Sequence, residues 1–264
     1  MRRNSIFWGS ALVIIGLLFF LKAQGIISGD VTGYIWPVMV MLFGLWIVFN
    51  SSRSFTGTNN AEEHNFSIPL QGAKRGKISF EHGAGAVIFS AGESAENFMS
   101  GISGAAMEYS SHLKEDTLHV DIEAGPSMLP FLGPEGGRWD FSVNKDIPFD
   151  FSFEGGATSF TLNAEDLKLE EASIEGGASS FDITAPRAGK SKFSIEGGAA
   201  SIKIKIPEGV ALRFLFEGGA TSINVDTNRF PRIHGDHYES PDFETASNRC
   251  EVTFDGGAST ITIS

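Results

Sequence analysis

What this chain lacks narrows its chemistry first. It has one cysteine, Cys250, in 264 residues. A lone cysteine makes no internal disulfide, so no disulfide framework braces the fold, and the composition fits a reducing compartment. Positive charge is also scarce: 20 Lys and Arg face 32 Asp and Glu, a net −12. No basic patch interleaved with aromatics is present, which argues against nucleic acid as a partner. The same acidity argues against docking flat on anionic lipid. No Gly-x-Ser-x-Gly elbow and no phosphate-cradling Gly-x-x-x-x-Gly-Lys-Ser/Thr loop occurs, and no catalytic constellation takes their place. The chain therefore reads as non-enzymatic, with no cofactor. His234, Asp236, His237 and Glu239 are metal-ligand types close together, but no partner cluster accompanies them, so a polar surface loop is the expectation. Arg138, Trp139 and Asp140 are read the same way.

Glycine and phenylalanine are abundant instead, at 31 and 23 residues. They belong to a recurring stretch. Phe193 to Ile204 reads Phe-Ser-Ile-Glu-Gly-Gly-Ala-Ala-Ser-Ile-Lys-Ile, with copies starting at Phe151, Ala172, Phe214 and Val252. Glu154, Glu175, Glu196 and Glu217 follow one another at intervals of 21 residues. A fixed period of that size is the mark of stacked supersecondary units.

Each unit alternates apolar and polar residues on both sides of Glu-Gly-Gly-Ala, the pattern of half-buried strands. The alternation slips at the motif. Ile195 and Ile202 are seven apart, an odd step that would put them on opposite faces of a straight strand. The chain must bend or bulge between them, and the glycine pair is where it can. The same step recurs from Phe80 to Val87, Ile122 to Leu129, Phe153 to Phe160, Ile174 to Phe181, Phe216 to Ile223 and Phe254 to Ile261. The expected fold is an all-β stacked-repeat, solenoid-like domain. Its structural corners are Glu154, Gly155, Gly156; Glu175, Gly176, Gly177; Glu196, Gly197, Gly198; Glu217, Gly218, Gly219; and Asp255, Gly256, Gly257. The corner glycines are expected to need positive φ, and each carboxylate to accept hydrogen bonds from its own Gly-Gly amides. The alternative role for stacked carboxylates is a cation ladder. Phe153, Ile174, Ile195 and Phe216 should form one interior column.

The domain is expected over residues 66–264, after a polar linker at 51–65. Glu81-His82-Gly83-Ala84 and Glu123-Ala124-Gly125 look like worn copies of the motif. Met107–His112 and Thr117–Ile122 read as strands around a turn at Lys114-Glu115-Asp116. Insertions are placed near 133–148 and 228–249. An uncovered coil end would be a template for strand pairing, to be covered by the second insertion or by another chain, including a second copy.

Residues 1–50 have a different character. Ile6 to Leu21 and Tyr34 to Phe49 are apolar runs that reach the length of a bilayer core once their flanks are included. No convincing small-x-small cleavage site follows the first run before the second begins, so a transmembrane α-hairpin is favoured over a signal peptide. Trp8, Tyr34, Trp36 and Trp46 suit the membrane interface, and Gly16 and Gly44 suit close helix approach. Residues 1–53 hold Arg2, Arg3, Lys22 and Arg53 against Asp30 alone. By the positive-inside rule, both termini and the β domain lie in the cytoplasm.

The hairpin from Phe7-Trp8-Gly9 through Trp36-Pro37-Val38 to Gly44-Leu45-Trp46 resembles the transmembrane region shared by bacterial LiaI and LiaF proteins. Ile147-Pro148-Phe149-Asp150, the Glu-Gly-Gly-Ala copies and Ile206-Pro207-Glu208-Gly209-Val210 resemble the LiaF-type C-terminal domain, one of the wider toastrack group. The resemblance implies a multi-pass protein of the bacterial inner membrane that modulates the cell-envelope stress response, with a sensor histidine kinase as partner. It implies no catalytic residues. The alternative is a structural, adhesin-like scaffold that self-associates through its coil ends.

Overall fold

A computed structural model describes residues 64–103, 107–124, 138–219, 221–257 and 259–264. The expected hairpin at 1–50 and all of the linker before His64 lie outside the described residues. The chain divides into two compact units, 1–60 and 61–264, and every described residue belongs to the second. The described elements are all strands: β1 (His64–Pro69), β2 (Arg75–Gly92), β3 (Asn97–Ser103), β4 (Met107–Lys114), β5 (Thr117–Ala124), β6 (Arg138–Asn144), β7 (Phe149–Asn163), β8 (Leu169–Thr184), β9 (Lys190–Lys205), β10 (Ala211–Gly218), β11 (Thr221–Val225), β12 (Arg232–His234), β13 (His237–Glu239), β14 (Arg249–Gly256) and β15 (Ser259–Ile263). Among the described residues no helix is long and apolar enough to cross a membrane.

The repeat is one long strand bent in the middle. β2, β7, β8 and β9 lie side by side, parallel and in register through the bend. The residues before the bend form a first arm and those after it a second. The arms pack face to face: the rings of Phe153 and Phe160, from the two arms of β7, are 4.4 Å apart, and Phe89 on the second arm of β2 lies 4.8 Å from Phe151 on the first.

The slip in alternation is located by burial. In β7, Phe153 is buried, Glu154 exposed, Gly155 half-buried, Gly156 and Ala157 both exposed, then Thr158 and Phe160 buried. β8 repeats this over Ile174 to Phe181. Two successive outward residues turn the second arm back over the core, and β2, β7, β8 and β9 bend at the same place, so the register is the same on both sides of the corner.

The interior rows confirm the column and correct its order. In register across the first arm run Ile122, Phe80, Phe153, Ile174, Ile195, Phe254 and Phe216. Phe254 of the last copy sits between Ile195 and Phe216. β14 has inserted between β9 and β10, so spatial order departs from sequence order. The second-arm row is Trp139, Val87, Phe160, Phe181, Ile202, Ile261 and Ile223. All copies share one corner chemistry, so any of them fits an interior slot and the period carries no information about position.

Both expected insertions contain strands. The stretch 133–148 holds β6, parallel to the second arm of β2. Its Trp139 is fully buried, 5.5 Å from the Phe80 ring and 4.7 Å from His82, and is no surface-loop residue. The stretch 228–249 holds the β12–β13 hairpin, which pairs antiparallel with β10.

Antiparallel strands close most of the sheet's edges. β4 covers β5, and β3 followed by β1 covers β6. At that end Phe66 of β1 meets Tyr109 of β4 at 5.7 Å, joining the two arms. At the other end β13 and β12 extend the first arm.

Candidate functional site

The corners gather the most distinctive side chains. In-register pairing sets Glu123, Glu81, Glu154, Glu175, Glu196, Asp255 and Glu217 in a single row across seven strands. Adjacent strands in a sheet are about 4.8 Å apart, so the carboxylates follow one another at that interval. All are exposed. A shallow groove of about 820 Å³ runs along six of them, from Glu123 to Asp255, floored by the glycine pairs of β7, β8 and β9 and touching His82. Among the described residues none of these carboxylates takes part in an ion pair.

The glycines serve close approach. None of them is among the residues with positive φ, which overturns the expected left-handed corner. A Cβ on Gly156 would lie 2.5 Å from the Gly83 carbonyl oxygen of the neighbouring strand. On Gly177 it would lie 3.0 Å from Gly156 O, on Gly198 3.0 Å from Gly177 O, and on Gly257 2.8 Å from Gly198 O. At these four corners the second glycine thus lets the neighbouring strand's backbone pass. At Gly155 and Gly176 the first glycine makes room inside, where a Cβ would meet the Phe153 ring at 2.7 Å and the Phe181 ring at 2.5 Å, whereas a Cβ on Gly218 or Gly256 would run into the carbonyl oxygen of Gly256 or Gly197 on the neighbouring strand. Gly219, at the outermost corner, meets nothing within 4 Å.

At two corners the amide of the second glycine bonds a neighbouring strand. Gly219 N donates to Gly256 O at 3.1 Å and Gly257 N to Gly197 O at 3.1 Å, bonds that run between strands. The seven carboxylate residues are exposed, one on each strand. Among the described residues no group of three or more His, Cys, Asp or Glu side chains is placed to hold a metal ion. A row spreads its oxygens along a line, whereas a metal needs them converging on a point.

The His234–Glu239 segment is committed elsewhere. His234 and His237 meet edge to face at 5.1 Å, and His237 Nε2 lies 3.2 Å from Glu239 Oε2. Glu239 in turn accepts from Arg213 Nε at 2.7 Å. Arg213 also bonds Glu244, reaches toward Glu251 at 3.9 Å and lies 4.1 Å over the Phe243 ring. The Arg213 guanidinium holds the Glu239 carboxyl below the usual carboxylate range, with His237 adding to the effect. This hub was not singled out from sequence, since its members are spread over three strands and a turn. Cys250 is fully buried beside Ser191, and burial pushes its thiol up to about 12. It is therefore a thiol at neutral pH, a poor nucleophile and a poor metal ligand.

Comparison with known proteins agrees with this architecture. The model of the N-terminal domain of toast_rack (DUF2154) matches residues 57–205, and that of the LiaF transmembrane domain matches residues 1–58. A crystal structure of a candidate cell-adhesion protein from Clostridium sporogenes superposes with a TM-score of 0.68 at 20% identity, covering 76% of this chain and 98% of the other. At that identity the likeness is one of fold. A candidate adhesin from Bacteroides fragilis aligns at a TM-score of 0.28 and 8% identity over 76% of this chain and 96% of its own, too low to argue from. No curated protein matches.

Proposed function

Because this chain belongs to the family of the toast_rack N-terminal domain and carries a LiaF transmembrane domain ahead of it, we propose that it is a membrane-anchored, non-enzymatic regulator of the bacterial cell-envelope stress response. The observation that carries the reading is the joining of those two domains in one chain. The anchor senses perturbation of the bilayer, and the rack presents its strand faces to a membrane protein partner, with a sensor histidine kinase the first candidate. Arg2, Arg3 and Arg53, with Lys74, Arg75 and Lys77 after them, favour a multi-pass inner-membrane protein whose rack lies in the cytoplasm, within reach of a kinase's cytoplasmic part.

The scaffold reading, supported only by the adhesion label of a fold relative, predicts open coil ends. It has less support, because antiparallel strands occupy most of those ends. The test is capture of the intact protein from membranes with and without an envelope-active antibiotic. The regulator reading expects a sensor kinase whose recovery changes with treatment. An identical set of partners in both conditions would count decisively against it.

A further inference from the structure

One edge of the sheet is finished differently from the rest. β11 pairs with β15 alone, and among the described residues no strand lies beyond it. The direction of its hydrogen bonds follows from one contact: Asp226 N donates to Ile263 O on β15 at 3.1 Å. Backbone groups alternate sides along a strand in a parallel ladder, so Ser222 and Asn224 also bond toward β15. The N–H and C=O groups of Thr221, Ile223 and Val225 then point outward. The side chains tell the same story. Ile261 and Ile263 on β15 are 0% and 1% exposed, whereas their register partners Ile223 and Val225 are only half-buried.

This edge also lacks the usual protections. Thr221-Ser222-Ile223-Asn224-Val225 has no charge and no proline, in a chain of net −12. Edge strands left bare are normally blunted by charge, proline or cover. The first arm, by contrast, continues past β10 with β13 and β12. A second rack approaching β11 would run into that overhang. A single extended segment would not.

We propose that the β11 edge is a strand-addition site for an extended segment of a partner protein, uncharged over about five residues and apolar or β-branched at alternate positions. The backbone of Thr221, Ile223 and Val225 supplies the ladder. The half-buried Ile223 and Val225 supply an apolar row that the segment's inward side chains complete. Because the rack repeats by translation, the strand pattern that fits one side of β11 fits the other. β15 itself is therefore the template for a ligand. The site does not depend on the stress-response reading, so failure of the kinase capture would leave it standing.

The probe is a fluorescent synthetic peptide with the sequence of Gly257–Ser264, added to the full-length protein in detergent micelles. In the free protein the amides of Ile223 and Val225 are expected to exchange quickly and those of Ser222 and Asn224 slowly. The peptide should slow Ile223 and Val225. Val225→Pro removes an outward N–H that the sheet does not use internally, so the fold should persist while the peptide binds about tenfold more weakly or worse. Val225→Ala keeps the N–H and serves as the control, with the smaller loss. Rapid exchange unaffected by saturating peptide, equal binding to the Val225→Pro variant, or slow exchange of both amides in the free protein would each overturn the proposal.

Discussion

Two ladders of charge cross the same strands under opposite rules. The corner row, from Glu123 to Glu217, is all carboxylate. The row on the outer face of the first arm runs Lys77, Asp150, Glu171, Lys192, Glu251, Arg213 and Glu239, with the signs mixed. Opposite charges facing across strands stabilise a sheet, and like charges destabilise it. The mixed row therefore helps hold the strands in register, and the corner row works against it. Two unit charges 5 Å apart repel by about 0.8 kcal/mol in water. The rack absorbs that cost because its register is set inside, by the apolar columns and the glycine contacts at the bend.

The most damaging test of this view strikes the glycines. Gly156→Ala puts a Cβ 2.5 Å from Gly83 O, a backbone atom of the neighbouring strand. Overpacking against a rigid neighbour costs about 1–3 kcal/mol, and this position belongs at the upper end. Gly219→Ala makes the same chemical change where nothing lies within 4 Å. It should be neutral or stabilising by up to about 1 kcal/mol, through the smaller entropy of the unfolded chain. Thermal melts of the two variants would separate close approach from any general intolerance of side chains at the motif. Equal losses would mean that strand contact is not what selects glycine.

A weaker blow falls on the mixed row alone. Arg213 is only a quarter exposed, and three carboxylates and the Phe243 ring surround it. Arg213→Ala leaves Glu239 half-buried beside His237 without its main partner, at a cost of about 1–3 kcal/mol. The change has a pH signature. Glu239 titrates below its ordinary value in the folded state. Its contribution is thus present above the unfolded carboxylate pKa, near 4.5, and is lost as pH falls through the lower folded value. The variant should be less stable than the parent at neutral pH, with the gap closing below about pH 4.5. A gap that stays constant into acid would assign the loss to packing against Phe243.

These rules were unequally visible in the sequence. The seven-residue step showed that the strand turns at Glu-Gly-Gly-Ala and named the residues that meet inside, because burial and periodicity are local properties. The reason for the glycines was not visible, since φ and the approach of a neighbouring carbonyl look alike as a Gly-Gly pair. The order of the strands was hidden for a related reason. Phe254 obeys the same pattern as Phe216, and only the path of the intervening hairpin decides which lies further in. Trp139 was assigned to a loop because β6 carries no motif of its own. It is recruited to the core by pairing with β2, a contact between residues about fifty apart. The Arg213 hub was equally hidden, being assembled from β10, β13, β14 and the turn after β13.

The smallest effect has the opposite sign and bears directly on the corner row. Glu175 lies between Glu154 and Glu196. Glu175→Gln removes one charge and with it two neighbouring repulsions, while keeping the size of the side chain. The expected result is stabilisation by about 1 kcal/mol at low salt, since each repulsion in water is somewhat below that figure and partial screening reduces the sum. Added salt should raise the melting temperature of the parent more than that of the variant, because there is less repulsion left to screen. A magnesium or calcium titration distinguishes a plain row of charge from a binding site. Screening alone follows ionic strength, so an effect that saturates at low cation concentration and disappears in Glu175→Gln would show that the row holds ions at defined positions. If the variant is instead destabilised at every salt concentration, the Glu175 carboxylate has a favourable partner in the folded protein, and the corner row does not oppose the register as its spacing implies.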